Sequence, residues 1–371
     1  MDLVGKIVPY LRGKRADYFT KKSLDKIWKD TSNSCKLKKL SKSQISDIQK
    51  YWYDRTGKKV STKWHQLLYS LTGEFKVEYE PFEVCIEVQQ YLSPALQQYI
   101  FDDKGLYRSL LNGYNIPTRV AECNNGIYYL PNQEGPCEIE KESFLKKLEN
   151  VDNCIIKPSK GTDGGRGVCS FSVTEGIVDN SQVKLAEYIR KYEAKYGLNY
   201  CIESKIDECE NLSCLNPSSC NSLRIHTFRN RQTQKIEFLS SYVRIGKKGN
   251  VVDNAHSGGF CAPVYPGGLL KKAITVYPYK TYKYTESGIY LENYCIDNFQ
   301  NMVDTVLKAH SSLPMFDLIG WDVAMDKNGN VIIIEFNPNP DVRMEQVIFG
   351  TTCLANKQDE VLKQVYQKRG K

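Results

Sequence analysis

The segment IGWDVAMDKNGNVIIIEFNPNP, residues 319–340, decides the fold class of this chain. Two apolar runs flank Asn328-Gly329, a dipeptide favoured in two-residue type I′ turns, so the segment predicts an antiparallel hairpin. Counting outward from a two-residue turn places Asp322 opposite Glu335. Asn337 follows Glu335 by two residues and therefore lies on the same face of its strand. We predict that these three oxygen-bearing side chains lie close together on one face of the hairpin.

Two carboxylates directly opposite each other require a positive charge between them. Opposed side chains have Cβ atoms about 4.5 to 5.5 Å apart, and like charges at that distance repel. Mg²⁺ prefers oxygen ligands and takes one or two carboxylates besides water and phosphate, so Asp322, Glu335 and Asn337 predict a magnesium site. The alternate positions are apolar and predict that the other face is buried: Val323, Ile332, Ile334 and Phe336. The alternative is a solvent-exposed hairpin with an acidic face.

A glycine-rich loop, SKGTDGGRG at residues 159–167, connects two predicted strands. Its glycines let the backbone turn freely and bring N–H groups close to a phosphate: Gly161, Gly164, Gly165 and Gly167. Lys157, at the end of the first strand, aims a compact charge at the same space. The spacing does not match a Walker loop or a dinucleotide-binding fingerprint, both of which open a helix. We predict a cover over phosphate groups; a flexible hairpin loop is the alternative.

The rest of the chain divides into helical and strand-rich parts. Segments 41–57 and 61–73 each begin at a serine, carry apolar residues at helical spacing and end at a glycine. From Asn153 onward, short β-branched runs predict strands, with amphipathic helices within 181–197 and 297–310. His310 is interpreted as a packing residue of the second helix. The order predicts an α+β fold that begins with a helical N-terminal region (1–100).

Composition limits the location and partners of the protein. No apolar run approaches the roughly 20 residues that span a bilayer, and no signal peptide is recognisable, so no transmembrane segment is expected. The thirteen cysteines are an odd number without a CxxC pair, which indicates reduced thiols in a cytoplasmic protein. The oligomeric state is left open.

The formal net charge of +8 is partly local, because Lys21 to Lys42 contains eight lysines. Such a stretch could meet nucleic acid, an acidic lipid surface or an anionic substrate. A solvated helical face is the simpler interpretation. Nucleic acid is not expected as a partner, since no RNA- or DNA-binding signature accompanies the lysines.

Taken together, these segments resemble the ATP-grasp superfamily, and most closely its branch associated with sugar transfer and polysaccharide biosynthesis. The resemblance extends from about Phe101 to Pro340. The order and spacing of the parts are more specific than any one of them: FDDKGLYRSLL, IIKPSKGTDGGRGV, YCIESKI, NSLRIHTF, YVRIG, VDNAHSGG and GWDVAMDKNGNVIIIEFNPNP. It implies an ATP-grasp fold in which two α+β subdomains, a smaller one (101–205) and a larger one (206–371), clamp ATP. The first hundred residues match it loosely.

The resemblance implies a role for each matching residue on the nucleotide side. Lys104 and Lys157 match lysines that hold the α- and β-phosphates, with the loop from Gly161 to Gly167 as a lid. A hinge would receive adenine through backbone groups: Glu203, Ser204, Lys205 and Ile206. The acid that binds the ribose stays open among three neighbours: Asp207, Glu208 and Glu210.

Further roles are implied on the reacting side. Arg224 and Arg244 match arginines that grip the γ-phosphate and the acyl phosphate formed from it. The magnesium ligands would be the three hairpin residues, holding one or two ions. Residues that line the acceptor side would be Asn254, Gly258 and Gly259.

The implied reaction is ATP- and Mg²⁺-dependent ligation of a carboxylate to an amine through an acyl phosphate. One substrate would be an amino acid or a sugar, in polysaccharide or cell-surface glycan modification. Two alternatives stay open: an ATP-grasp kinase that phosphorylates a hydroxyl of a polyanionic small molecule, and a nucleotide-binding protein without catalysis.

Overall fold

A computed structural model of the protein describes residues 20–33, 36–94, 101, 103–132, 135–161, 165–179, 181–250, 253, 258–276 and 279–366. The chain forms two compact units. The first consists of Met1–Ala95, Ile274–Lys280 and Asn339–Lys371, and the second of Leu96–Ala273 and Thr281–Pro338. The first unit therefore combines segments from both ends of the chain.

The first unit is mainly helical. Its helices cover residues 20–33, Lys42–Thr56, Lys63–Thr72, Phe82–Leu92, Arg343–Phe349 and Gln358–Tyr366, with a 3₁₀ turn at Ala355–Lys357. Ser41 begins the second helix with a capping box, since its Oγ accepts from the Gln44 N–H at 3.1 Å and Gln44 Oε1 accepts from the Ser41 N–H at 2.9 Å. Gly57, with φ of 69°, ends it. The predicted N-terminal helices are confirmed.

The first sheet of the second unit has the strand order β3-β2-β1-β8-β4-β5-β6-β7. Its strands are β1 (Arg119–Asn124), β2 (Ile127–Pro131), β3 (Pro136–Ile139), β4 (Val151–Pro158), β5 (Cys169–Thr174), β6 (Ile177–Val178), β7 (Val183–Lys184) and β8 (Tyr200–Ser204). Helices Lys141–Lys147 and Leu185–Tyr196 bury Phe144 and Ile189 against it. The expectation that strands begin at about Asn153 missed β1 to β3, whose mixed polar composition carries a weak strand signal.

The second sheet supplies the predicted hairpin. Its strands are β9 (Leu223–Arg229), β10 (Ile236–Ile245), β11 (Phe260–Pro263), β12 (Ala273–Val276), β13 (Tyr279–Tyr282), β14 (Leu318–Met325) and β15 (Val331–Asn337). Strands β12 and β13 contain residues of both units, and the other five follow the order β11-β10-β9-β14-β15. Helix Phe299–Ser311 packs its apolar face into the same core, which includes Val306, Trp321 and Phe336. Shorter helical segments lie at Lys104–Leu106, Tyr107–Leu110, Glu210–Ser213 and Pro266–Gly268.

The interpretation of His310 as a packing residue is confirmed. His310 is fully buried, and its Nε2 lies 3.0 Å from the Phe316 carbonyl oxygen while its Nδ1 lies 2.7 Å from Thr227 Oγ1. Trp321 Nε1 donates to the same Thr227 oxygen at 2.8 Å. If Nε2 carries the ring proton, both ring nitrogens of His310, the Thr227 hydroxyl and the Trp321 N–H all have hydrogen-bond partners. Burial lowers the pKa of His310 to about 4, so the ring is neutral near pH 7.

The hairpin of β14 and β15 pairs Asp322 with Glu335, as predicted, but through a different turn. The predicted two-residue turn at Asn328-Gly329 is wrong. Asp326 N–H donates to the Asn330 carbonyl at 3.0 Å, so the loop contains three residues, 327–329. The Asp326 carboxylate accepts from the backbone N–H groups of Asn328 and Asn330, at 2.9 and 2.8 Å, and this favours the wider loop.

A β-bulge restores the predicted pairing farther from the turn. Val323 pairs with Ile333 and Asp322 with Glu335, so Ile334 is the extra residue. The bulge also changes which residues face the core. Val331 and Ile333 lie in it, whereas Ile332 and Ile334, which the regular alternation assigns to the core, are half-buried.

Candidate active site

Asp322 lies at the centre of a cluster of opposite charges. It pairs with Arg224 across β14 and β9, and Arg244 lies on the next strand, β10. Arg224 Nε and Nη2 donate to the two carboxylate oxygens of Asp322, the second at 3.0 Å, and Arg244 Nη2 lies 2.7 Å from Oδ2. Burial, at 1% exposure, raises the pKa of Asp322, but the two guanidinium groups outweigh it and hold that pKa below its ordinary value. Asp322 is therefore ionised.

Glu335 faces Asp322 and is more accessible. Its side chain is 31% exposed, and its Oε2 lies 3.8 Å from Lys104 Nζ. Burial raises the pKa of Glu335; the nearby Lys104 opposes that rise and the charge of Asp322 adds to it. Asn337, two residues farther along β15, is half-buried and pairs with Gly320. The three predicted hairpin residues thus share one side of the sheet.

The two predicted phosphate lysines are brought to the same region by the first sheet. Lys157, at the end of β4, is buried, and its Nζ lies 2.7 Å from Glu203 Oε2. Lys104 N–H donates to the Ser159 carbonyl at 2.9 Å, which fixes its segment beside the end of β4. Burial lowers the pKa of Lys157, but the Glu203 carboxylate outweighs this and raises it above its ordinary value. Lys157 is therefore a permanent cation.

Arg119 completes this cluster and was not predicted. Its Nη2 donates to the Lys104 carbonyl at 3.1 Å and its guanidinium lies 3.2 Å from Glu203 Oε1. Its Nη1 donates to Glu122 at 2.6 Å. A lone arginine in the sequence RVAEC offers no motif, and the pairing of β1 with β8 is what brings Arg119 opposite Glu203.

Arg244 is held from behind by two further residues that sequence reasoning missed. Its Nε and Nη2 donate to Ser222 Oγ at 3.1 and 2.8 Å. Ser222 in turn donates its hydroxyl and its N–H to Asp253 Oδ2. Asp253 also lies 3.5 Å from Arg244 Nε. The position of Asp253 directly before Asn254 was the available sequence signal.

The glycine-rich loop is described in part. Gly161, Gly165 and Gly167 all have positive φ, of 63°, 74° and 82°, and Gly164 lies outside the described residues. A Cβ at Gly167 would stand 2.8 Å from Pro158 Cγ, so this glycine is required by close packing against the end of β4.

The predicted acceptor side is likewise described in part. Asn254 lies outside the described residues. Gly258 is exposed with φ of 86°, and Gly259 is buried directly before β11.

The predicted hinge follows β8. The Glu203 side chain is engaged by Lys157 and Arg119. Ser204 N–H donates to Thr118 O at 2.9 Å and Lys205 N–H to Asn153 O at 2.6 Å. Within the described parts of the chain, the Ile206 N–H has no hydrogen-bond partner. The role of the hinge in receiving adenine stays a prediction.

The three candidate ribose acids have different surroundings. Glu208 accepts from the Asn221 N–H at 2.9 Å and from Asn221 Nδ2 at 3.1 Å, and burial raises its pKa to about 8. Asp207 is 71% exposed and pairs with Lys327 at 2.7 Å. Glu210 is exposed in a short helix. Asp207 and Glu210 are therefore accessible, whereas Glu208 holds the segment before β9.

A magnesium ion fits the hairpin residues. The described residues contain no group of three or more His, Cys, Asp or Glu side chains that could hold a metal. Mg²⁺ does not need such a group, because it takes one or two carboxylates and completes its shell with neutral oxygens, water and phosphate. Asp322 and Glu335 pair across the two strands, and the charge of Asp322 raises the pKa of Glu335, so a cation between the two carboxylates would relieve their repulsion.

The model of a family described as sugar-transfer associated ATP-grasp matches residues 87–363. No curated protein matches the chain. No helix among the described residues has the length and apolar character needed to cross a bilayer.

Several solved structures are similar to the chain. The biotin carboxylase domain of the Hydrogenobacter thermophilus 2-oxoglutarate carboxylase, solved with MgADP, is 15% identical with a TM-score of 0.42, over 79% of this chain and 53% of that one. An L-amino acid ligase from Bacillus licheniformis is 15% identical with a TM-score of 0.40, over 80% of this chain and 55% of that one. The D-Ala:D-Ser ligase of Enterococcus faecalis is 11% identical with a TM-score of 0.41, over 71% of this chain and 61% of that one. The chain spans about half the length of the first two structures.

Proposed function

The chain belongs to the sugar-transfer associated ATP-grasp family, and we propose that it is an ATP- and Mg²⁺-dependent carboxylate–amine ligase. The amide forms through an acyl phosphate. The acceptor is a sugar or polysaccharide component of a cell-surface glycan, or an amino acid joined to one. Family membership supports the use of ATP, and the name of the family supports the glycan.

One observation carries the proposal: the Asp322 and Glu335 pair is surrounded by four cations. Arg224 and Arg244 contact Asp322, Lys104 lies 3.8 Å from Glu335, and Lys157 also acts on the pKa of Glu335. Arginine forks suit a transferring phosphoryl group, whose charge is spread over several oxygens, and lysines suit the phosphates of the leaving diphosphate. Glu203 and Asp253 hold Lys157 and Arg244 in place, so the four cations converge on one pair of carboxylates before a ligand arrives, and this convergence supports binding of Mg²⁺ together with phosphates.

Different residues of the site bind the phosphates of ATP and the magnesium ion. Lys104 and Lys157 hold the α- and β-phosphates under the loop that contains Gly161 and Gly167. Mg²⁺, held by Asp322, Glu335 and Asn337, would neutralise charge on the phosphates when bound. Ser222 and Asp253 hold Arg244 in place, so that its guanidinium need not be ordered when the substrate arrives.

The reaction then proceeds in two displacements. A substrate carboxylate oxygen attacks the γ-phosphorus, the bond from that phosphorus to the β,γ-bridging oxygen breaks, and ADP leaves. The amine nitrogen attacks the acyl carbon, the bond from that carbon to the phosphate oxygen breaks, and phosphate leaves while the nitrogen loses a proton to solvent. Arg224 and Arg244 stabilise the negative charge on the phosphoryl oxygens in both steps.

Hydroxylamine trapping tests the proposed chemistry. The purified protein is incubated with ATP, Mg²⁺ and panels of uronic acids and amino acids, with hydroxylamine as the nucleophile. Hydroxamate formation together with ADP release is expected for an acid that is a substrate. Stable transfer of phosphate to an alcohol would identify a kinase and overturn the ligase. ATP binding without turnover for any acid or alcohol would favour a non-catalytic protein.

A further inference from the structure

The first unit presents one helix with two opposite faces. In the helix at residues 20–33, Leu24 and Thr31 are buried, and Ile27 and Trp28 are half-buried. These positions follow the i, i+3, i+4, i+7 spacing of one helical face, which is therefore the packed face. The opposite face is fixed by the same geometry.

Lysines occupy that opposite face. Lys22, Lys26 and Lys29 are spaced by four and three residues, so they lie in one stripe, and all three are exposed. At about 100° per residue, the stripe points directly away from Leu24 and Thr31. We call these three residues the lysine face.

Asp30 is exposed and follows Lys26 by four residues, so it offsets part of the charge of this face. Asp25 lies beside it, but its carboxylate is 2.6 Å from Lys63 Nζ on another helix. All the other lysines of the segment are also exposed: Lys21, Lys36, Lys38, Lys39 and Lys42. The segment 20–42 contains eight lysines, no arginine and two aspartates. It is a strongly cationic surface.

We propose that the lysine face adsorbs the protein onto an acidic lipid surface. Clusters of four to eight basic residues on an amphipathic helix are attracted to anionic headgroups, by about 1 kcal/mol per lysine near the surface. The use of lysine alone fits a diffuse layer of charge, because a site built for one carboxylate or phosphate favours the bidentate arginine fork. The packed Ile27 and Trp28 cannot insert, so adsorption is electrostatic and reversible.

The shape of the surface favours a lipid plane over a polymer chain. The outer face of a single helix is convex, so it can lie on a plane but provides no groove for a strand of nucleic acid or polysaccharide. Single-stranded nucleic acid also calls for aromatic side chains on the contact surface, and the aromatic residue of this helix, Trp28, lies on its packed side.

Vesicle co-sedimentation of the full chain tests the proposal. Vesicles of phosphatidylcholine with added phosphatidylserine are compared with phosphatidylcholine alone, at low and raised salt. We expect binding to the anionic vesicles only, weakened by salt, and a fall of about 100-fold in the partition coefficient when Lys22, Lys26 and Lys29 are all replaced by glutamine. The matched control replaces three exposed lysines of the second unit by glutamine: Lys146, Lys147 and Lys308. It has the same net charge and should bind as the wild type.

Three results would overturn the proposal. The first is that the protein does not bind anionic vesicles. The second is that both triple variants lose vesicle binding equally. The third is that the protein binds soluble alginate or duplex DNA more strongly than vesicles, with the same dependence on the lysine face. Circular dichroism of both variants confirms that they are folded. The proposal is independent of the ligase assignment.

Discussion

Two Asn-Gly hairpins of the second unit turn in different ways. Between β1 and β2, Asn125 and Gly126 both have positive φ, of 51° and 86°, and Asn124 pairs with Ile127, so this is a two-residue type I′ turn. In the loop between β14 and β15, Gly329 is the one residue with positive φ, of 83°. The same dipeptide therefore closes a tight turn in one hairpin and ends a three-residue loop in the other.

A single residue that precedes the three-residue loop, Asp326, favours this difference. Asp326 offers a carboxylate to the N–H groups of Asn328 and Asn330 and to Asn330 Nδ2. In the first hairpin, the residue that precedes Asn125 is Asn124, whose side-chain oxygen accepts from Lys160. The dipeptide alone does not set the register, because nearby side chains can hold the backbone in a competing turn.

The largest expected difference between the hairpins is in catalysis. We expect Asp322→Ala and Glu335→Ala each to lower Mg²⁺-dependent ATP turnover by about 1,000-fold or more, because each removes a proposed Mg²⁺ ligand from the place where phosphoryl charge would develop. The measurement is ADP release with saturating ATP. Glu138→Ala, which removes an exposed carboxylate from β3 beside the first hairpin, is the control and should leave turnover unchanged. Undiminished turnover in either site variant would refute the assignment of the site.

Sequence reasoning succeeded where the chemistry is local to the hairpin. It paired Asp322 with Glu335 although the turn beside them was wrong, because the extra loop residue and the extra residue Ile334 compensate for each other. Neither compensation can be read from a polar and apolar pattern, which gives alternation but not bulges. Ile332, between the turn and the bulge, and Ile334, at the bulge, were therefore wrongly assigned to the core, whereas Phe336, beyond the bulge, was assigned correctly.

Residues held by long-range pairing were harder to predict. Arg119 reaches Glu203 because β1 lies beside β8, and Ser222 and Asp253 meet behind Arg244 through strand neighbours. Such contacts depend on strand order. The strand order depends on the whole sheet, so no short motif encodes these residues.

Deleting Ile334 isolates the bulge that separates the two hairpins. Removal of the extra residue leaves Asp322 paired with Glu335 but straightens β15, and a displacement of about 1 Å at a reacting site can cost about 100-fold in rate. We expect a fall of that size in kcat with native circular dichroism. Ile334→Ala keeps the backbone of the bulge and should retain kcat within a few-fold. Equal kcat in the deletion variant and the wild type would show that the bulge does not determine the position of the Glu335 carboxylate.

The second hairpin also differs in having a buried histidine behind it. The pKa of His310 falls from 6.5 to about 4 in the folded protein because of burial. Below pH 6.5 the unfolded chain binds a proton at His310 that the folded protein does not bind. The free energy of unfolding therefore falls by about 3 kcal/mol as the pH falls from 6.5 towards 4, and the contribution of His310 is fully present above pH 6.5.

Urea unfolding as a function of pH measures this effect. His310→Gln can retain both hydrogen bonds without titrating, so its free energy of unfolding should decline less than that of the wild type below pH 6.5. Subtraction of the two curves removes the contribution of His65, which is also buried with a pKa lowered to about 4. Parallel curves would show that His310 does not titrate differently on folding.

The smallest effect is expected at the turn itself. Asp326→Ala removes the acceptor that holds the three-residue loop, and we expect a loss of about 1 kcal/mol in the free energy of unfolding, as for a typical net hydrogen-bond contribution. Without that carboxylate, Asn328-Gly329 can adopt the type I′ turn seen at Asn125-Gly126, and cross-strand nuclear Overhauser contacts should then show Lys327 opposite Asn330. Asp326→Asn keeps a side-chain oxygen and should keep the wild-type loop. If the alanine variant also keeps the three-residue loop, the bulge at Ile334 rather than the aspartate sets the register, because a strand that keeps Ile334 as an extra residue and still pairs Asp322 with Glu335 leaves room only for a three-residue loop.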